Sequence, residues 1–204
     1  MHEPGRPARN TLPATSVRDF RRLLDAALSE RDDQGRKWAD ARWGCYAFYD
    51  YDGEPIYVGQ TNERLRTRVR RHLTNQRTDA VAMRILDVFE VAELELWPLW
   101  DFEDVTKRGD PERFREAQAT LDSAEYTAYL DAIVLSKFGA ILNEKIPTVS
   151  RTAQLPQSGR FRLVSAETRA ERGHPDVRIA RRAETISRLA AVAHERGEVS
   201  DGES

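Results

Sequence analysis

The sequence predicts an α/β protein of the α+β kind: a small, mainly antiparallel three-stranded sheet flanked by helices, with helical extensions at both ends. Three observations carry that expectation. The runs WGCYAFYD and EPIYVG flank Asp52-Gly53, and glycine there accepts the positive φ that a tight hairpin turn requires. In VFEVAELELWPLW, Phe89, Val91, Leu94, Leu96 and Trp97 alternate with Glu90, Glu93 and Glu95 around a register slip near Ala92, which is the period of a half-buried strand. Elsewhere, apolar residues recur at helical spacing between polar connections.

In chain order, residues 1–15 hold three prolines and little apolar content and read as a flexible arm. Ser16 is placed to cap a helix to about Arg31, with Val17, Phe20, Leu23, Leu24, Ala27 and Leu28 on one face. Residues 16–42 thus form an N-terminal helical extension whose plain role is packing. The hairpin strands fall at about 43–50 and 55–59. A three-turn helix follows, capped by Thr61 or Asn62, then a short helix from about Asp79 to Leu86, then the third strand. Asp110-Pro111 opens further helical sequence, running to Phe138 or breaking near Asp122. Residues 148–204 read as a linker, centred on Ser150 to Gly159, and a helical C-terminal extension that begins near Pro175 and ends in a disordered tail.

Composition narrows the function classes. The chain has 204 residues, enough for one compact domain with decorations. Its 32 basic and 34 acidic residues give a net charge of −2, so attraction to a polyanion must come from a local patch. Cys45 is the one cysteine and there are four scattered histidines, which excludes an intrachain disulfide and argues against a Cys/His zinc site. No stretch has the apolar core of a signal peptide or the length of a membrane span, so a soluble, cytoplasmic protein without a membrane partner is expected.

The local patch is YVGQTNERLRTRVRRHL, with five arginines and a histidine in nine positions. On a helix, Arg64, Arg68 and His72 fall four apart at the edge of the apolar stripe of Leu65, Val69 and Leu73. A cationic side chain there can lay its stem on the core and hold its guanidinium in a cleft. Arg66 and Arg70 point outward, suited to phosphate contacts or to solvation. Taken alone, such a run is more simply a solvated face.

The hairpin shifts that balance. Gly44-Cys45-Tyr46 on the first strand and Tyr57-Val58-Gly59 on the second resemble the paired signature of the GIY-YIG nuclease superfamily, and Leu65-Arg66-Thr67-Arg68 fits the Leu-x-x-Arg of its following helix. His72, four residues past Arg68, resembles the Arg-x-x-x-His arrangement of the type II restriction endonucleases of that superfamily. The resemblance covers about residues 43–147, the nuclease-like core. It implies a GIY-YIG fold and metal-dependent hydrolysis of DNA phosphodiesters, with Mg2+ (or Mn2+) on one acid of a later helix and an Asn twelve residues further on.

Asp131 and Asn143 fit that spacing, although the superfamily's acid is normally Glu. Glu125 is the rival ligand; its spacing from Asp122 also matches a capping box, which would tie it to a helix start. The resemblance implies that Tyr46 positions or deprotonates the attacking water, with a pKa lowered by nearby cations. It also implies that Tyr57 orients water or substrate, Arg68 offsets transition-state charge, His72 accepts or relays a proton, and Asn143 braces the site.

Candidate DNA contacts are Arg64, Arg66, Arg70, Arg71, Arg160 and Arg162. Asp104 to Ala119 and the basic tail, which adds Arg178, Arg181 and Arg182, are candidates for base recognition. The implied partners are double-stranded DNA, a second copy in a homodimer and a cognate DNA-modification partner. Two alternatives stand beside a restriction-type enzyme: a structure-specific repair or recombination nuclease, and a non-catalytic DNA-binding protein on a decayed nuclease scaffold, which Asp131 in place of Glu would favour.

Overall fold

Strand β1 (Gly44–Tyr49) is buried at all six positions, because both of its faces and both of its edges are covered. It pairs antiparallel with β2 (Pro55–Thr61) on one side and with β3 (Glu93–Pro98) on the other. Residues 15–74, 90–143, 145–195 and 197 are described by the structure, a computed structural model. The hairpin turn is built by Asp50, whose Oδ1 accepts from the backbone N–H of Asp52 at 2.7 Å and of Glu54 at 2.9 Å, while Gly53 adopts φ +74°.

Among the described residues the sheet has four strands, ordered β2-β1-β3-β4, rather than three. The addition, β4 (Gly159–Arg162), pairs antiparallel with β3 in what the sequence presents as the end of a linker and the start of the tail. It is a short edge strand on which Arg160 and Arg162 face outward and Phe161 packs inward. Charged residues on an edge strand suppress the alternation that would announce it and also discourage edge-to-edge aggregation.

One face of the sheet packs Tyr46, Phe48, Leu94 and Leu96 against α1 (Thr15–Ala27) and α2 (Leu65–Thr74). The other packs Cys45, Ala47, Val58 and Trp97 against α3 (Pro111–Leu135). Helix α3 runs unbroken through Asp122 and stops at Leu135, short of Phe138. Its cap is Asp110, whose Oδ1 accepts from Glu112 N–H at 3.1 Å and Arg113 N–H at 2.9 Å. Helix α1 likewise ends at Ala27 rather than near Arg31. Among the described residues two further helices follow, α4 (Ala166–Arg172) and α5 (Pro175–Glu195). Residues 1–14 of the expected arm, the Asp79–Leu86 helix and the last residues of the tail lie outside the described residues, while Thr15, expected to end the arm, is the first residue of α1. Among the described residues, no helix is long and apolar enough to cross a membrane.

Helix α5 carries Arg178, Arg181 and Arg182 against the acidic hairpin turn. Arg181 and Arg182 reach Asp52 Oδ2 at 3.1 and 3.2 Å, Arg178 reaches Asp52 Oδ1 at 3.2 Å, and Arg182 reaches Glu54 Oε2 at 3.3 Å. Burial pushes the Asp52 carboxyl up, but the charges of Arg181, Arg178 and Arg182 outweigh it and hold the group below its usual range. The other Glu54 oxygen accepts from Ser136 Oγ at 2.6 Å and Lys137 N–H at 2.8 Å, just past α3. These three arginines are therefore engaged within the fold rather than free for base recognition. Arg178 and Arg182 still pair with Asp52 when Arg181 is removed, so only part of the network's charge loses its partner and Arg181→Ala is expected to lower unfolding stability by about 1–3 kcal/mol. A denaturant midpoint matching the unsubstituted chain would show that the network contributes nothing.

Candidate active site

Two glycines open the space in which the site forms. Tyr46 on β1 lies opposite Gly59 on β2. A Cβ at Gly59 would sit 2.7 Å from Tyr46 Oη and 2.9 Å from Tyr57 Cε1, so only glycine lets the two rings cross the strand there. At Gly44, a Cβ would meet Trp97 O at 2.6 Å and Leu65 Cδ1 at 2.9 Å; the missing side chain is what brings α2 down onto the sheet. Gly59→Ala is expected to displace the Tyr46 ring and cost about 1–3 kcal/mol of stability, as overpacking does. A near-ultraviolet dichroism spectrum and melting temperature both unchanged would contradict that.

Four side chains meet above these glycines. Arg68 Nε donates to Tyr46 Oη at 3.3 Å. The His72 ring stands edge-on to Tyr46, 5.7 Å between centroids, and 5.2 Å from Tyr57. The Tyr46 and Tyr57 centroids are 6.1 Å apart, and Phe48 stacks behind Tyr57 at 6.0 Å. Spacing on α2 does this work: Arg68 and His72 lie one turn apart, beside buried Val69 and Leu73.

Burial sets the protonation of the cluster. Tyr46 is fully buried, and desolvation followed by the Tyr57 hydroxyl pushes its pKa well above the usual value, against the pull of Arg68. This corrects the expectation of a lowered value: Tyr46 keeps its proton at neutral pH. Burial, then the charges of Arg68 and Arg71, lower His72 to about 4, so its imidazole is neutral. Burial works against the Arg68 charge as well, but Tyr46 and Tyr57 outweigh it and its pKa is raised.

Across β2 lie two carboxylates of α3, Asp122 and Glu125, both beside Gln60. Burial pushes the pKa of Glu125 up to about 7, with Gln60 and Arg68 pulling down and Asp122 pushing up. Asp131, six residues on and therefore about 120° around the helix, is exposed. The capping explanation of Glu125 also fails, because α3 begins at Pro111 and both Asp122 and Glu125 are mid-helix. Asn143 is buried and clamps the edge of β2: its Oδ1 accepts from Val58 N–H at 3.0 Å and its Nδ2 donates to Val58 O at 2.8 Å.

The expected DNA contacts are placed differently. Arg66 turns inward rather than outward, donating to Asp40 Oδ1 at 2.8 Å and Leu28 O at 2.9 Å. Arg70 pairs with Asp25 at 2.8 Å and Arg71 with Glu63. Arg160 pairs with Glu93 at 2.7 Å and lies over the Tyr49 ring at 3.6 Å. Arg64 and Arg162 are exposed. Gln60 is a further member of the site, its side-chain amide donating to Asp122 Oδ1 at 3.0 Å; its place directly after Gly59, opposite Cys45 on β1, is the signal in the sequence that marks it.

The hairpin pairing, both glycines and the arginine one turn into the next helix fall within a single recognised segment. Residues 42–102 match the GIY-YIG catalytic domain. That match supports the superfamily read from the sequence and indicates a nuclease domain; Glu125 and Asn143 lie beyond the matched GIY-YIG segment and are placed by geometry. No curated protein and no solved structure matches the chain significantly. Among the described residues, no group of three or more His, Cys, Asp and Glu side chains is arranged to hold a metal.

Proposed function

We propose that the chain is a divalent-cation-dependent endodeoxyribonuclease, a restriction-type enzyme that cuts duplex DNA at specific sites. The observation that carries this reading is the contact of Arg68 with Tyr46 beside Tyr57 and His72, with Glu125 facing Arg68 from α3. Glu125 suits a hard cation: it is a half-buried carboxylate whose charge is poorly compensated, and a bound cation relieves that cost. Mg2+ (or Mn2+) held by Glu125 and waters would polarise the scissile phosphate and support the leaving oxygen.

The chain's own groups supply the rest. Arg68 presents a permanent charge to the phosphate oxygens as negative charge builds there. Tyr46, protonated, orients the attacking water through its hydroxyl rather than deprotonating it. His72, neutral, has a free lone pair to accept the water's proton, and an incoming phosphate beside it raises its basicity. Tyr57 orients the substrate from the more exposed side, and Asn143 fixes the edge of β2 on which Tyr57 stands.

Exposed Arg64 and Arg162 remain available for phosphate contacts. A restriction-type role implies a homodimer and a cognate DNA-modification partner. The decayed-scaffold alternative has two supports, Asp131 in place of Glu and the modest net charge of −2; a Glu125 ligand would answer the first of them. Incubating the purified chain with unmodified duplex DNA, with and without Mg2+, and mapping the ends tests the proposal. Discrete Mg2+-dependent sites are expected; cuts confined to flaps or junctions would favour a repair nuclease, and binding without cuts would overturn the enzymatic reading.

A further inference from the structure

Strand β2 is the outer strand of the sheet, so every second backbone group along its free edge needs a partner from elsewhere. Those partners form a series. Leu142 N–H donates to Ile56 O at 2.7 Å, and Asn143 takes both groups of Val58. The next position on that edge is Gln60, whose backbone N–H and side-chain amide both reach Glu125. The amide itself is anchored: its Nε2 donates to Asp122 Oδ1 at 3.0 Å, and the same oxygen accepts from Gln118 Nε2 at 2.9 Å.

The anchoring has a visible cost. Gln60 Oε1 is buried and has no hydrogen-bond partner among the described residues. A buried acceptor left unpaired is unfavourable, and exchanging the amide's two ends would not help, since its oxygen would then face the Asp122 carboxylate. The amide is thus held by what its NH2 group does for the two acids of α3. The geometry points to Gln60 as a positioning residue for Glu125, fixing the orientation of the carboxylate to which the proposed function assigns the cation. This inference rests on that reading. Groups that orient a ligating carboxylate typically change metal affinity by about 10–100-fold when removed.

The experiment is a Mn2+ titration of the full chain, followed by calorimetry, with no DNA present. Gln60→Met keeps the side-chain length and removes the amide; about tenfold weaker Mn2+ binding is expected. Asp122→Asn, which keeps the shape of the anchor and removes its charge, serves if Gln60→Met does not fold, and is expected to weaken binding in the same direction. In the double variant the two effects should fall short of additive, because Asp122 acts in part through Gln60 and in part by its own charge on Glu125; two independent losses would add in full. Glu125→Gln separates the two claims. If it loses Mn2+ while Gln60→Met binds like the unsubstituted chain, or if the Gln60 and Asp122 effects add in full, the positioning role is overturned alone. If Glu125→Gln binds Mn2+ unchanged, the cation reading falls and this inference with it.

Discussion

Arg68→Ala is expected to lower the DNA cleavage rate by about 10²–10³-fold or more, the usual cost of removing one group aimed at developing charge. Arg68 is half-buried on α2, so its stem helps position a charge that solvent screens poorly. Removing it takes one of two hydrogen-bond partners from the Tyr46 hydroxyl, which keeps Tyr57; the loss costs about 0.5–1.5 kcal/mol and should leave the sheet and both apolar layers folded. Arg68→Lys is expected to recover little of the rate, because a single ammonium cannot span two phosphate oxygens while facing Tyr46 as the planar fork does. Dichroism and a thermal melt establish that the variant is folded. A folded Arg68→Ala protein cleaving at the original rate would remove the guanidinium from the chemistry.

Glu125→Gln is expected to abolish Mg2+-dependent cleavage and, at the same time, to stabilise the cation-free protein at pH 8. The Glu125 carboxyl has a folded pKa of about 7 against 4.5 for the free side chain. The folded state therefore holds the proton more tightly, and stability attributable to this group falls as pH rises from 4.5 through 7. Glutamine removes that penalty, so the gain should be near zero at pH 4.5 and grow to about 1–3 kcal/mol by pH 8. His72 works in the opposite sense. Its folded pKa of about 4 lies below the usual 6.5, so its contribution is present above 6.5 and lost as pH falls toward 4. The imidazole is the same in both proteins and cancels in their difference. Asp131→Ala is expected to change neither activity nor stability beyond about 0.5 kcal/mol, as exposed substitutions do. Loss of cleavage in Asp131→Ala, with Glu125→Gln still active, would reverse the assignment.

What the sequence exposed and what it hid divides along local versus distant partners. The hairpin was legible because Asp50 and Gly53 build the turn within five residues. The convergence of Arg68 and His72 on one helical face was legible from their four-residue spacing alone. Arg66 was misread as outward because its acceptors, Asp40 and the Leu28 carbonyl, arrive from a different part of the chain. The arginines of α5 looked like a nucleic-acid surface for the same reason, since their acidic partners lie more than a hundred residues away. Asp131 attracted attention through a spacing to Asn143, yet that interval spans the end of α3 and a non-helical segment, where linear distance does not report facing direction. Glu125 was discounted on a capping pattern that would matter only if a helix started at Asp122, and Asp110 starts it earlier. β4 was hidden by its brevity and by two arginines in four residues.

The central claim is that one carboxylate, Glu125, faces the Tyr46, Tyr57, Arg68 and His72 cluster and holds the cation. Crystals of the full chain soaked in Mn2+ test it most directly through the anomalous scattering of the metal. An anomalous peak at the Glu125 carboxylate is the expected result; a peak at Asp131 with none at Glu125 would contradict the account.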